Sequence, residues 1–506
     1  MESSTSLARL LDRLEGAKRQ FGVSGQAGTA KLLESLERRR FPDAASLIRL
    51  HESLLFFRAY PANAEILHLA DRLLATFAER VRRLADVEPF EEPDVSGISG
   101  TAFSAIFSYD ITRWLAARHP RRVDIDWDAT DPSLLGPLLV RLHPFFTEDS
   151  LVEANIPYAD WFRAAKKGRG TDLQWLISRL GQVPPELFAA AKLAVRWNLG
   201  DGSGTRTNIR LPGARKFFFH EGPLLRRSDV SLGAELAAPP FTIERLNLAR
   251  GEQMLDLARE TSAMRYRELH GFTYGDPAHV IRAELGRGVE VFVSGVPPGH
   301  RLPLRAYHAG MFFKNGVPIG YIECLTLFER MEVGFNLYYT FREGETAWLY
   351  ARLLRLFRQL LGVSCFSVDP YQIGLHNEEA IESGAFWFYR KLGFRPVNAN
   401  VARLLEGEER KLGSKPDYRT PASTLRRLAQ GSMIYEMPGT KQGEWDNFEV
   451  RRAAMALTDT PFSKAVERAK NGPQEIRYVR LLQADKKLRN HLKKIAGTVY
   501  SDTNRL

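Results

Sequence analysis

GVPIGYIECLTLFERMEVGFNLYYTFREGETAWLYARLLRLFRQLLGVSCFSV, residues 316–368, is the stretch on which the fold turns. VPIGYIEC and EVGFNLYYTF are β-rich runs separated by turn residues, which predicts two strands. AWLYARLLRLFRQLL follows at once with apolar residues at helical spacing. GVSCFSV then reads as a short buried strand. Upstream, VEVFVSG (289–295) and AYHAGMFF (306–313) have the same β texture, Phe241–Asn247 is strand-like and residues 248–269 are helical. Downstream, a loop through Asn377 leads to a short aromatic helix ending at Gly393. Strands, helix, strand and helix in this order predict a mixed α/β domain at about 240–400.

On either side the texture changes. Leu7, Leu10, Leu11 and Leu14 recur at helical period, and similar stripes continue through most of the first 200 residues. Glu88–Gly100, Gly200–Gly213 and Pro239–Pro240 interrupt them. Residues 1–235 are therefore expected to be mainly helical, and 401–506 to form a basic helical tail. A length of 506 residues agrees with about three domains. The N-terminus lacks an apolar h-region and a cleavage pattern. No uncharged apolar run approaches the length of a membrane span. Cys324 and Cys365 form no CxxC pair. A transmembrane helix, a disulfide framework and a structural zinc site are thereby excluded, and a cytoplasmic protein of a reducing compartment is expected. The formal charge is +11, with 21 Lys/Arg against 13 Asp/Glu beyond residue 400. Such an excess favours polyanions: nucleic acid, an anionic membrane surface or a phosphate-bearing cofactor.

FYRKLGF (Phe388–Phe394), GVPIGYIE (Gly316–Glu323) and REGETA (Arg342–Ala347) carry a family resemblance. In that order they are similar to the last helix and following turn, the central strand, and the pyrophosphate loop of the GNAT superfamily of acyl-CoA-dependent N-acyltransferases. The resemblance spans about residues 240–400. It implies an α+β fold: a GNAT-like mixed, mainly antiparallel sheet flanked by helices, here with the helical N-terminal region and the basic tail added. It also implies acetyl-CoA or another acyl-CoA as co-substrate, an amine as acceptor and no metal. Physical reasoning supports a phosphate site there. A strand expected to end at Phe341 runs into a helix beginning near Glu345, whose unpaired N–H groups and dipole favour an anion. Arg342 adds charge-assisted hydrogen bonds, Gly344 permits close approach, and Glu345, Thr346 and Ala347 complete the loop. Glu345 stands where the family pattern has its first glycine, and a carboxylate there would repel a phosphate.

The resemblance further places Tyr389 as the acid for the departing thiolate and Asn377 against the CoA arm. An amine must lose a proton before it attacks. Glu323 and Glu332, in or beside the two central strands, are the candidate bases, and alternation sets Glu323 on the face of Tyr321. A backbone N–H near Asn336–Tyr338 is the candidate oxyanion donor. The acyl-CoA reading rests on a splay between the strands at 317–325 and 331–341, and a structure without one would remove its basis. Elsewhere, GDGSGT (200–205) reads as a flexible loop without the Lys-Ser/Thr of a P-loop. Asp124, Asp126 and Asp128 share a face only if extended. Acetyl transfer to an amine is the leading expectation. The alternatives are an aminoacyl-tRNA-dependent transferase, with RNA held by the basic tail, and an inactive GNAT-like binding scaffold.

Overall fold

A computed structural model describes residues 6–142, 148, 156–166, 170–180, 184–213, 216–302, 304–448, 450–451 and 475–490. Four helices begin the chain: α1 (Leu7–Ala17), α2 (Val23–Glu37), α3 (Ala44–Ala59) and α4 (Ala64–Ala75). Asp43 and Asn63 start the third and fourth by accepting from the N–H of Ser46 and Ile66, at 2.8 and 2.9 Å. Helix α3 is buried on nearly every side, Leu47, Leu50, Leu54 and Phe56 included. Two of its buried charges are paired: Glu52 with Arg206 at 2.5 Å and Arg58 with Asp71 at 2.7 Å. Strands β1 (Ala102–Ile106), β2 (Val123–Ile125) and β3 (Ala194–Asn198) form a small antiparallel sheet in the order β1-β3-β2. The first 235 residues therefore carry strands as well as helices. Met1–Ala214, Phe219–Gly222 and Leu255–Thr273 form one compact unit; Arg215–Phe218, Pro223–Met254 and Tyr274–Leu506 form a second.

Nine strands make the sheet of the second unit among the described residues. Strands β4 (Ile243–Arg245), β5 (Ile281–Gly286), β6 (Val289–Gly295), β7 (Ala306–Lys314), β8 (Val317–Leu327) and β9 (Arg330–Leu337) pair antiparallel in sequence order. Asn315 and Gly316, at φ 49° and 78°, make the two-residue turn between β7 and β8 that matches strand twist. Strand β10 (Cys365–Val368) then runs parallel to β9. A parallel neighbour requires a crossover, which is helix α5 (Thr346–Leu361), ended by Gly362 in the left-handed region. The short helices α6 (Glu378–Glu382) and α7 (Ala385–Lys391) follow, then β11 (Arg395–Pro396) and β12 (Met433–Glu436), completing the order β11-β12-β10-β9-β8-β7-β6-β5-β4. The fold is mixed α and β, with the antiparallel part dominant.

Three expectations need correction. Strand β9 stops at Leu337 and a 3-10 turn, Tyr339–Phe341, separates it from α5, because the chain must reverse before it can cross the sheet. Residues beyond 400 are not only helical, since β12 lies between β10 and β11. The strands at 317–325 and 331–341 are not splayed: β8 and β9 pair without a break from Gly320↔Leu337 to Leu327↔Arg330. That removes the splay on which the sequence reading rests an acyl-CoA site; the strands diverge one pair further on, between β9 and β10. Strand β9 pairs with β10 only from Arg330 to Glu332, and β10 ends at Val368 while β9 runs on through Val333–Leu337.

Candidate functional site

The site lies in the second unit, where β9 outruns β10. Opposed residues of an antiparallel pair share a face. Tyr307, Leu325 and Glu332 therefore form one row, Ala309, Glu323 and Gly334 the next, and Met311, Tyr321 and Asn336 a third. On the other face lie His308, Cys324 and Val333, then Gly310, Ile322 and Phe335. Helix α5 covers this second face, with Tyr350 5.1 Å from Phe335 and Phe357 6.5 Å from His308, ring to ring.

At the start of α5, no side chain caps the helix among the described residues. Its first-turn N–H groups are available to an acceptor from outside. The Glu345 carboxylate does not face that mouth. It is 2% exposed, accepts from Arg287 Nε and Nη2 at 2.9 and 2.5 Å and from the N–H of Leu225 at 3.1 Å, and lies 3.7 Å from Lys314 Nζ. Burial pulls the Lys314 pKa down to about 7, against the opposing pull of Glu345. The repulsion expected from Glu345 is thus answered by two cations that the sequence held 31 and 58 positions away. Thr346 and Ala347 open the helix, Thr346 Oγ1 donating to the Arg342 carbonyl at 3.1 Å, and the Gly344 N–H donates to Phe341 at 3.0 Å. Arg342 is not free for a phosphate as it stands, because it pairs with Glu379 and lies over the Tyr339 ring. Asn377 is spent on α6: its Oδ1 accepts from the Ala380 N–H at 3.1 Å and its amide donates to the Tyr371 carbonyl at 3.1 Å. It is a helix cap, as its position before Glu378-Glu379 allows.

The two candidate bases lie in neighbouring rows of the first face. Glu323 Oε1 accepts from the Tyr307 hydroxyl at 2.6 Å. Glu332 Oε1 accepts from Arg451 Nε at 2.7 Å. Burial raises the Glu332 pKa, and Arg451 works against it. Burial, then the Glu323 charge, hold Tyr307 protonated well above the usual phenol range. Gly334 stands directly opposite Glu323, where β9 has just lost β10. A Cβ there would meet only the Glu323 carbonyl at 3.6 Å and Gln372 Nε2 at 3.9 Å, so the backbone is open beside the carboxylate.

Tyr389 is on the opposite side. It is 4% exposed, with ring centroids of Phe388, Tyr350 and Phe394 at 5.1, 5.6 and 5.7 Å. Burial keeps its phenol protonated. The Tyr350 hydroxyl is buried without a hydrogen-bond partner among the described residues. Carboxylates thus flank the free segment of β9 on one side and neutral phenols on the other. Sequence reasoning missed Tyr307, Tyr350 and Arg451. Tyr307 was visible only as one residue of a β run, and Arg451 as one charge of a basic stretch.

Other candidates resolve into structural roles. Burial pushes the Cys324 thiol far up and the Cys365 thiol up to about 12, so neither is a thiolate nucleophile. Asp124 accepts from the N–H groups of Leu173 and Ile125, and Asp126 from Ser104 and the N–H groups of Asp128 and Ala129. No group of three metal-ligating side chains occurs among the described residues. In the first unit, the 200–205 loop borders a cleft of about 280 Å³ with Arg118, Arg122 and the His119–Glu260 pair. Several cations beyond residue 400 are engaged internally, Arg426 with Glu378 and Arg489 with Glu329 among them. No described helix is long and apolar enough to cross a membrane. No family model matches the chain, and neither a curated protein nor a solved structure is found similar to it.

Proposed function

We propose that the second unit is an acyl-CoA-dependent N-acyltransferase of the GNAT type, transferring an acyl group, acetyl by default, to an amine. The observation that carries this is the β9–α5–β10 crossover. A 16-residue helix without a side-chain cap follows, after a 3-10 turn, the strand that outruns its parallel neighbour, and the freed strand segment lies between carboxylates and buried phenols. The first-turn N–H groups and helix dipole would receive the pyrophosphate. The thioester would lie along Val333–Leu337, whose unpaired edge offers an N–H to the carbonyl oxygen. Glu323 takes the proton of the attacking amine, with Glu332 nearby on the same face. The amine nitrogen bonds to the carbonyl carbon, the C–S bond breaks, and Tyr389 protonates the thiolate. Positioning two substrates in one geometry contributes much of the rate.

Calorimetry with acetyl-CoA, a longer acyl-CoA and free CoA tests this, with Thr346→Glu beside the wild type. A carboxylate in the first turn favours the helix by about 0.3–1 kcal/mol, yet repels a phosphate. Saturable binding that Thr346→Glu weakens at least tenfold, without a lower melting temperature, supports the proposal. Absence of binding to every CoA species sinks it. RNA binding that falls steeply with salt would then point to the tRNA-dependent alternative.

A further inference from the structure

The first unit holds a cleft of about 280 Å³ that the proposed transfer does not use. One wall is the glycine-rich loop 200–205, whose composition reads as flexible. The structure anchors it instead. The Gly200 carbonyl accepts from the Gly100 N–H at 2.8 Å, and the Gly202 carbonyl from the Thr205 N–H at 3.3 Å and from Asn208 Nδ2 at 3.2 Å. Thr205 Oγ1 is 2.7 Å from Ser99 Oγ. With these acceptors engaged, the loop is left with donors to offer. Among the described residues, the N–H groups of Ser203 and Gly204 have no acceptor, and both residues line the cleft. Successive backbone N–H groups in a turn make an anion-binding concavity.

Charged side chains complete the lining. Arg118 ends the helix Tyr109–Arg118, and Arg122 follows four residues later. Arg122 Nη1 donates to the Leu199 carbonyl at 2.7 Å, and its guanidinium lies so close to the loop that a Cβ at Gly202 would strike it. A Cβ at Gly204 would strike the Glu260 carboxylate. Glycine at both positions is what lets charged groups approach the loop backbone. The loop's own carboxylate, Asp201, pairs with Arg82 at 3.0 Å. Glu260 is 6% exposed, and its Oε1 lies 2.9 Å from His119 Nε2. A helix dipole by itself favours Arg118 at a helix C-terminus, but it does not account for a loop that offers N–H groups beside that charge. We propose that this cleft binds a small phosphate monoester whose carbon part carries hydroxyl groups. The phosphate lies on the N–H groups of Ser203 and Gly204, with Arg118 and Arg122 donating charge-assisted hydrogen bonds to its oxygens. Glu260 can only accept, so it would repel a bare anion, and a hydroxyl on the ligand supplies the donor it needs. The volume is just below the usual range of ligand pockets, roughly 300–1,000 Å³, which suits a small metabolite. The site is independent of the acyltransferase proposal.

Calorimetry on the full chain tests this with glycerol 3-phosphate, glucose 6-phosphate, inorganic phosphate, and unphosphorylated glycerol and glucose. Saturable binding of at least one ester is expected, tighter than that of inorganic phosphate, with none of the unphosphorylated compounds. Arg118 is exposed, so Arg118→Gln should leave the melting temperature unchanged while weakening ester binding roughly tenfold or more. Arg113→Gln removes the same charge from the same helix outside the cleft, and should leave binding unaltered. Failure of both esters to bind would overturn the proposal. So would equal weakening by the two variants, which would reduce the effect to net charge. Inorganic phosphate bound as tightly as the esters would leave an adventitious anion site only. A single-stranded RNA oligonucleotide that binds where neither ester does, and is weakened by Arg118→Gln, would overturn the proposal in favour of nucleic acid. None of these outcomes depends on whether the second unit transfers an acyl group.

Discussion

Glu345→Ala removes the buried carboxylate behind the helix mouth. In the native protein that group satisfies both Nε and Nη2 of Arg287, the N–H of Leu225, and the field of Lys314. Breaking a buried pair by deleting one partner typically costs about 3–5 kcal/mol. Two features hold the estimate at the lower end. The Arg287 side chain is 28% exposed and can turn toward water. Lys314, already at a pKa of about 7, can shed its proton once its counter-charge is gone. A loss of about 3 kcal/mol is expected, or roughly 6–12 °C in the melting temperature of a unit this size. Urea unfolding read by tryptophan fluorescence measures it directly. A loss under about 1 kcal/mol would mean that the carboxylate is not held by these cations. Glu345→Gly is the sharper companion. If it bound acyl-CoA more tightly at no cost in stability, the carboxylate would have been facing the phosphates, and the account of the loop would be refuted.

Tyr389→Phe keeps the ring contacts with Tyr350 and Phe394, so melting should not change, whereas kcat should fall roughly 100-fold; an unchanged kcat would assign the proton to another group. Gly334→Ala places a methyl group in ordinary contact distance of its neighbours. It should leave folding intact and raise the acceptor KM but not the acyl-CoA KM, measured by initial rates. Burial lowers the pKa of His51 to about 4 and of His308 to about 3, both from the ordinary 6.5. Their stabilisation is complete above pH 6.5 and is lost as pH falls through the folded values. His51 alone accounts for about 3 kcal/mol. Denaturant midpoints measured from pH 7 to 4 should fall, and His51→Asn should flatten the fall in the first unit.

How much was legible in the sequence follows from distance along the chain. Strands β7 to β10 and helix α5 announced themselves because period and composition are local properties. The face shared by Glu323 and Tyr321 followed from alternation alone. Tyr307 did not, because its bond to Glu323 depends on the hairpin register fixed at Asn315-Gly316. Glu345 looked like a defect in a phosphate loop, since its partners Arg287, Lys314 and Leu225 come from three other segments. Asn377 was given a ligand role when its immediate successors already suggested a cap. Strand β12 is four residues, MIYE, in a polar helical stretch, too short to declare a period.

That late strand has a consequence for biosynthesis. Among the described residues β11 has no neighbour in the sheet but β12, and β10 is flanked by β9 and β12. As the chain leaves the ribosome, β10 must wait while more than sixty further residues are made before Met433–Glu436 can cover it. Throughout that interval its outer edge, Cys365–Val368, is an apolar template open to other chains. A chaperone that binds the chain in that interval would find this edge unpaired by β12.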